Sequence, residues 1–421
     1  MSDDQKYRCT LPFSHLNVTA RGVTTPCCNY DWRKNDHWKL ADSDYNYFTW
    51  VSEGLENILN SAPWRELRKK SKKNIPEPGC HHCYFSDNSV GSSRRTWAND
   101  VFPDADNDTK LKSIELKLGA KCNLECRTCS PNSSNKLLKE GSYERFGKVD
   151  KDWIRHLQSF SDWTHDENFW DDLKKVSSDL EYLQFTGGEP LLIQEQYQYL
   201  EWLAENNIDP VIQYITNATI PLDEYKINLW NKFSKIIIDF SIDGADEVAE
   251  YVRTGSNWEE QKNNIIEYGE YVKQHNILNN RKDSSHNSSI NLATTVSIYN
   301  VTEIRGVLDF IHDNNVDISS WSINIVRWQN WMDIANLKGE AKQYALDNVN
   351  SLMNDNKYKE KYRNKLQEVI DRIETDPVTG AKFTDLVEKK QNIHNLLNKN
   401  RHHDFSKLLP EWWDILVKSG M

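Results

Sequence analysis

Three cysteines, Cys122, Cys126 and Cys129, stand at Cys-x-x-x-Cys-x-x-Cys spacing within KLGAKCNLECRTCSP, residues 117 to 131. Three thiolates on one short loop can hold three corners of an iron–sulfur cube, leaving the fourth iron open to a small molecule. Zinc is the competing occupant, but a structural zinc site is closed by four ligands. The next local donor, His156, is far along the chain. Just ahead of the loop, Ile114-Glu115-Leu116-Lys117-Leu118 alternates apolar and polar residues, the pattern of a β-strand. The thiols then sit where the chain leaves that strand's C-terminal end.

The other five cysteines are Cys9, Cys27, Cys28, Cys80 and Cys83, so all eight fall in residues 1–129. A disulfide framework is expected in small secreted folds, whereas clustered cysteines in a long chain point to metal. His15–Thr19 and Arg21–Val23 read as a small hairpin turning at Arg21-Gly22. Thiols beside that hairpin, together with the distant Cys80-x-x-Cys83, make a four-thiolate site. Such a site can hold a second, fully ligated cluster or a structural zinc. His81 and His82 read as exposed loop residues.

These residues need a scaffold, and the pattern supplies one from Ser113 onward. Strands are expected at Ser113–Leu118, Leu180–Thr186, Val211–Thr216, Lys235–Ile242, Ile290–Ile298 and Ile318–Val326. Helices are expected between them at Gln196–Asn206, Leu222–Phe233, Trp258–His275 and Val301–Asn314, the last capped by Asn300 with Glu303 three residues on. Six strand–helix units imply a parallel sheet with right-handed crossovers, an α/β partial (β/α)6 barrel. Working residues of such barrels sit at the C-terminal strand ends. The second strand exits into Gly187-Gly188-Glu189-Pro190, in which glycines permit positive φ and close backbone approach. The third exits into Thr216-Asn217-Ala218, and the fourth carries Ser241 and Asp243, with Arg253 following.

Taken together, these residues resemble the radical S-adenosylmethionine (radical SAM) superfamily. The cysteine spacing is similar to its signature, although Thr128 stands where an aromatic residue is usual. The resemblance implies that Cys122, Cys126 and Cys129 ligate a [4Fe–4S] cluster. It implies that Gly187, Gly188, Glu189 and Pro190 form the SAM turn. Asn217 is similar to the asparagine of a Thr-Asn-Gly motif, with Ala218 replacing the glycine. Ser241, Asp243 and Arg253 resemble contacts to the SAM ribose and carboxylate; for Arg253 the alternative is a surface ion pair with Asp246 or Glu250. Cys9, twelve residues, Gly22, four residues and Cys27, followed by a Cys-x-x-Cys, is similar to the start of SPASM and Twitch auxiliary-cluster domains. Those domains usually follow the barrel; this one precedes it and, lacking three further cysteines, looks like the Twitch type. The implied auxiliary [4Fe–4S] ligands are Cys9, Cys27, Cys80 and Cys83, with Cys28 spare. Implied partners are SAM, a reductant such as flavodoxin or ferredoxin, and a substrate that abstraction of hydrogen would activate. A peptide or protein is the expected substrate; a sugar or nucleoside, methyl or sulfur transfer, and a non-catalytic electron-transfer module are the alternatives.

Length and composition fit this organisation. The 421 residues suffice for an auxiliary-cluster unit over 1–105, a barrel over 106–330 and a helical region over 331–421. The net charge of −11 speaks against a nucleic-acid partner. Its main exception, Arg65 to Lys73, reads as a solvated basic helix face. The segment Gly91 to Asp108 reads as a polar linker in which Arg94 and Arg95 are solvated or face a substrate carboxylate. No apolar run approaches the roughly 18 residues of a membrane span, and the start MSDDQKYRCT lacks a signal-peptide core. A cytoplasmic location is expected.

Overall fold

A computed structural model describes residues 6–31, 34, 54–89, 93–107, 109–139, 163–279, 287–327, 330–358, 360–375 and 404–420. His156 and most of the polar stretch from Asn279 to Ser289 lie outside the described residues. The chain divides into two compact units, one of residues 1–121, 155–214 and 229–235, the other of 122–154, 215–228 and 236–421. Eight strands are described: β1 His15–Val18, β2 Thr24–Thr25, β3 Ser113–Leu118, β4 Tyr182–Gly187, β5 Val211–Thr216, β6 Ile236–Ser241, β7 Ser289–Val296 and β8 Ile318–Ile325. The protein is α/β and its strands are mostly parallel. Six of them, β3 to β8, are the expected strands of the (β/α)6 pattern, each within a few residues of its expected bounds.

In the first unit the strand order is β2-β1-β3-β4-β5. β1 and β2 pair antiparallel, turning at Gly22 with φ +73°. The expected hairpin is present, but its second strand is displaced to Thr24–Thr25. β1 then pairs in parallel with β3, placing His15 opposite Ser113. Its flanking helices include Ala62–Lys72, which buries Trp64 and Leu67 and leaves Lys69 exposed. The expected linker between Gly91 and Asp108 contains a helix, Arg94–Val101, started by a capping box in which Ser93 and Thr96 satisfy each other's backbone N–H groups. Neither arginine there is a free linker side chain. Arg94 pairs with Glu115 at 3.4 Å, and Arg95 is buried against Asp87 at 2.5 Å.

In the second unit β6, β7 and β8 run in order and in parallel. Burial alternates strictly along β6 and β7, with Ile236, Ile238 and Phe240 fully buried and the residues between them half-buried. The helix Ile304–Asp313 starts at Glu303, not at the expected cap Asn300. Asn300 is committed elsewhere: its amide donates to the carbonyls of Asp243 and Thr295 at 2.6 and 2.9 Å. Helices Gly339–Met353, Arg363–Glu374 and Pro410–Lys418 follow, the second burying Leu366, Val369, Ile370 and Ile373 as their spacing predicts. Among the described residues, no helix is long and apolar enough to cross a membrane.

Candidate metal centres

In the first unit, four thiols converge at the hairpin. Cys27 follows β2 and is buried, and its carbonyl accepts from the Thr25 hydroxyl at 3.0 Å. Cys9 is tied to the helix Ala62–Lys72 by Ser71, whose hydroxyl accepts from the Cys9 N–H and donates to its carbonyl. Cys80 and Cys83 lie where a short 3-10 turn, Pro78–Cys80, runs into the helix His81–Ser89. The turn and the hairpin are fastened together: the Asp31 N–H donates to the Gly79 carbonyl at 2.9 Å. Tyr30 packs against Gly79 so tightly that a Cβ there would meet its ring at 2.5 Å.

Burial pushes the Cys9 thiol up to about 12 and raises Cys27 and Cys80 well above their ordinary value. After burial, part of the rise in each is repulsion from the other thiols of the group. Cys27 responds to Cys80, Cys9 and Cys83, and Cys80 to Cys9 and Cys83. Cys28 is exposed, and the charged side chains acting on it are Glu115 and Arg94. Three thiols that resist ionisation on their own, crowded together with the buried Cys83, suit a cation that takes thiolate ligands.

The first unit also holds the Gly-Gly-Glu-Pro turn. Gly187 has φ +143°, and a Cβ on it would lie 2.8 Å from the Leu118 nitrogen. Gly188 donates to the Gly119 carbonyl at 3.2 Å and Glu189 to the Lys121 carbonyl at 2.8 Å. The close approach that the glycines permit is therefore to the neighbouring strand exit, which they pin just before Cys122. Glu189 is fully buried, and its carboxylate accepts from the Leu191 N–H at 3.1 Å, capping the short turn begun by Pro190.

In the second unit the three-cysteine loop is anchored along its length. The Cys122 N–H donates to Asn135 Oδ1 at 3.5 Å, and the Leu124 carbonyl accepts from the Ser134 hydroxyl at 2.6 Å. Glu125 and Arg127 donate their N–H groups to the carbonyls of Thr254 and Val252, both at 2.8 Å. The Arg127 side chain is fully buried, stacked 3.7 Å over the Tyr251 ring, and donates to the Tyr251 carbonyl at 2.9 Å. Burial pushes the Cys126 thiol up to about 12, Arg253 pulls the other way, and Cys129 and Cys122 add to the rise.

Asn217 supports the same loop. Its Nδ2 donates to Asn123 Oδ1 at 2.9 Å and lies 3.9 Å from Cys122 Sγ, while its Oδ1 accepts from the Thr219 N–H and hydroxyl. Ala218, in the place of the expected glycine, has φ +62°. Gln261 and Asn264, on the helix Trp258–Leu278, hold the carbonyls of Asn217 and Ala218 at 2.7 and 2.9 Å. Ser241 ends β6. Asp243 pairs with Arg253 at 2.9 Å and accepts from the Thr295 N–H at 2.7 Å. The Arg253 partner is thus Asp243, and Glu250 instead accepts from the Trp258 N–H.

Residues 9–84 match the family model described as the SPASM iron–sulfur cluster-binding domain. The radical SAM cyclopropyl synthase TigE of Paramaledivibacter caminithermalis is 24% identical over 253 residues, covering 57% of this chain and 48% of that protein. Residues 9–84 are thus similar to the SPASM domain, and a larger share of the chain is similar to a radical SAM protein. The chain spans about half the length of the curated relative it matches. Similar solved structures include SuiB of Streptococcus suis bound to the precursor peptide SuiA, at 14% identity and a TM-score of 0.36, covering 75% of this chain and 58% of that one. Another is anSMEcpe with bound AdoMet and Cp18Cys peptide, at 14% identity and a TM-score of 0.34, covering 57% and 58%.

The family model matched by residues 9–84 is that of an iron–sulfur cluster-binding domain. Sequence reasoning missed several residues that anchor the three-cysteine loop and the turn at Asn217: Asn123, Thr219, Gln261, Asn264, Asn135 and the stacked pair Arg127 and Tyr251. They are ordinary polar and aromatic residues without motif spacing, and only the fold brings them to the loops. His81 and His82 open a helix and are half-buried and exposed respectively, not members of a loop.

Proposed function

We propose that this protein is an enzyme that removes a hydrogen atom from a peptide or protein, using S-adenosylmethionine. The observation that carries this reading is the three-thiol loop, Cys122, Cys126 and Cys129, at a strand exit of a chain whose residues 9–84 match SPASM. When bound, a cluster with an open iron and SAM supply reductive cleavage of the sulfonium and a 5′-deoxyadenosyl radical.

The rest falls to the chain's own residues. Cys122, Cys126 and Cys129 hold the first cluster, and Cys9, Cys27, Cys80 and Cys83 hold the auxiliary one. Gly187, Gly188, Glu189 and Pro190 bind SAM in the first unit; the buried Glu189 carboxylate is suited to an ammonium group. Asn217, Ser241, Asp243 and Arg253 bind it in the second. The proposed functional division remains 1–105, 106–330 and 331–421, with flavodoxin or ferredoxin as reductant in the cytoplasm. A peptide substrate is supported by the SPASM match, because domains of this kind often accompany peptide modification.

The test is anaerobic turnover of the reconstituted protein with a strong reductant and deuterated peptides from the source cells. Deuterium is expected to pass from substrate into 5′-deoxyadenosine. Release of 5′-deoxyadenosine by a Cys126→Ala variant would overturn the reading. Methylated or sulfurated product would redirect it to group transfer.

A further inference from the structure

We infer that Asp31, His81 and His82 form a second, sulfur-free site for a divalent cation of the zinc class, beside the four-thiol site and separate from it. Their ligand atoms, one from each residue, all lie within 4.8 Å of one another. Ligands 2.0–2.1 Å from a tetrahedral zinc stand roughly 3.3 Å apart, so small side-chain rotations complete the site.

The grouping is built into the fold. Asp31 is held over the turn by its N–H bond to Gly79, and Tyr30 beneath it donates its hydroxyl to Glu77 at 3.1 Å. The His81 and His82 rings lie against each other, with centroids 4.0 Å apart. His81 Nδ1 is 3.2 Å from the Pro78 carbonyl. A carbonyl only accepts, so Nδ1 carries the proton and Nε2 presents its lone pair. That is the tautomer of metal-bound histidine, oriented by a backbone carbonyl behind it.

Two imidazoles and one carboxylate suit Zn²⁺, Fe²⁺ or Ni²⁺ better than Mg²⁺ or Ca²⁺, which take oxygen donors. Structural zinc is closed by four protein ligands, whereas three leave a position for water or an incoming donor. His82 is exposed, so solvent reaches the site. The donors are nitrogen and oxygen, so the inference holds whether the neighbouring thiols take iron–sulfur or zinc.

The test uses the anaerobically reconstituted full chain, desalted and titrated with Zn²⁺, with zinc and iron counted together. One zinc per chain beyond the iron complement is expected, with nitrogen and oxygen scatterers at about 2.0 Å in zinc-edge X-ray absorption. His82→Asn alone, at an exposed position, is expected to weaken that zinc at least tenfold with iron unchanged. Asp31→Asn with His81→Asn and His82→Asn is expected to abolish it. Absence of the extra zinc, sulfur scattering at the zinc edge, or zinc retained by the triple variant would each overturn the inference.

Discussion

Gly188 lies hard against Lys121: a Cβ on Gly188 would stand 2.2 Å from the Lys121 carbonyl oxygen and 2.6 Å from its carbon. Lys121 immediately precedes Cys122, so any side chain at 188 must displace the backbone that starts the three-cysteine loop. Gly188→Ala is therefore expected to cost about 1–3 kcal/mol through overpacking. Its larger effect is on loading, because iron falls by about four per chain, one cube, while the SPASM cluster remains. Iron and sulfide analysis with low-temperature electron paramagnetic resonance checks this; a full iron complement with unchanged spectra would refute it.

The two neighbouring thiols of the hairpin should separate in the same assay. Cys27 is buried among Cys9, Cys80 and Cys83, whereas Cys28 is exposed toward Glu115 and Arg94. Cys27→Ser is expected to remove about four irons per chain and Cys28→Ser none. The reverse result would exchange their roles.

His15 provides a pH-dependent readout of the first unit. It is 2% exposed, and its Nδ1 stands 2.6 Å from the Ser113 hydroxyl across the β1–β3 pair. Burial, with Arg94 adding, holds its imidazole well below the ordinary range. The unfolded chain thus takes up a proton near pH 6.5 that the folded chain refuses. Stability is complete above that value and falls below it, by up to about 1.4 kcal/mol per pH unit. Thermal midpoints from pH 7.5 down to 5.5 should drop less steeply in His15→Gln than in the parent protein. Parallel curves would show that His15 does not titrate on unfolding.

Much of this was legible because it is periodic or spaced. Parallel strands alternate side chains by two, so β3 and β5 were bounded without error, and the cysteine loops announced themselves by interval. Contacts that depend on tertiary placement were not legible. Nothing local says that Asn300 abandons its helix cap to hold Asp243 and Thr295, because both choices satisfy an amide. The stretch around Arg94 and Arg95 is polar enough to read as linker, yet Asp87 on the helix His81–Ser89 and Glu115 on β3 draw both arginines into the structure. The paired glycines at 187 and 188 were visible as a requirement for small residues. That the neighbouring backbone crowds them follows only from the register of β3 against β4.

The pair Asp243 and Arg253 decides how the second unit holds the residues proposed to bind SAM. Their side chains are 1% and 11% exposed and stand 2.9 Å apart, with Asp243 also accepting from Thr295. Removing one partner from a buried pair strands the other charge, which costs about 3–5 kcal/mol, whereas removing both can be close to neutral. Asp243→Asn is therefore expected to lower the thermal midpoint more than the double variant Asp243→Asn with Arg253→Met. If Arg253 only neutralises Asp243, the double variant regains SAM affinity along with stability. If Arg253 also contacts SAM, stability returns and SAM affinity does not. Thermal melts combined with SAM titration of the loaded protein separate the two, and a double variant no more stable than Asp243→Asn would show that the pair is not coupled.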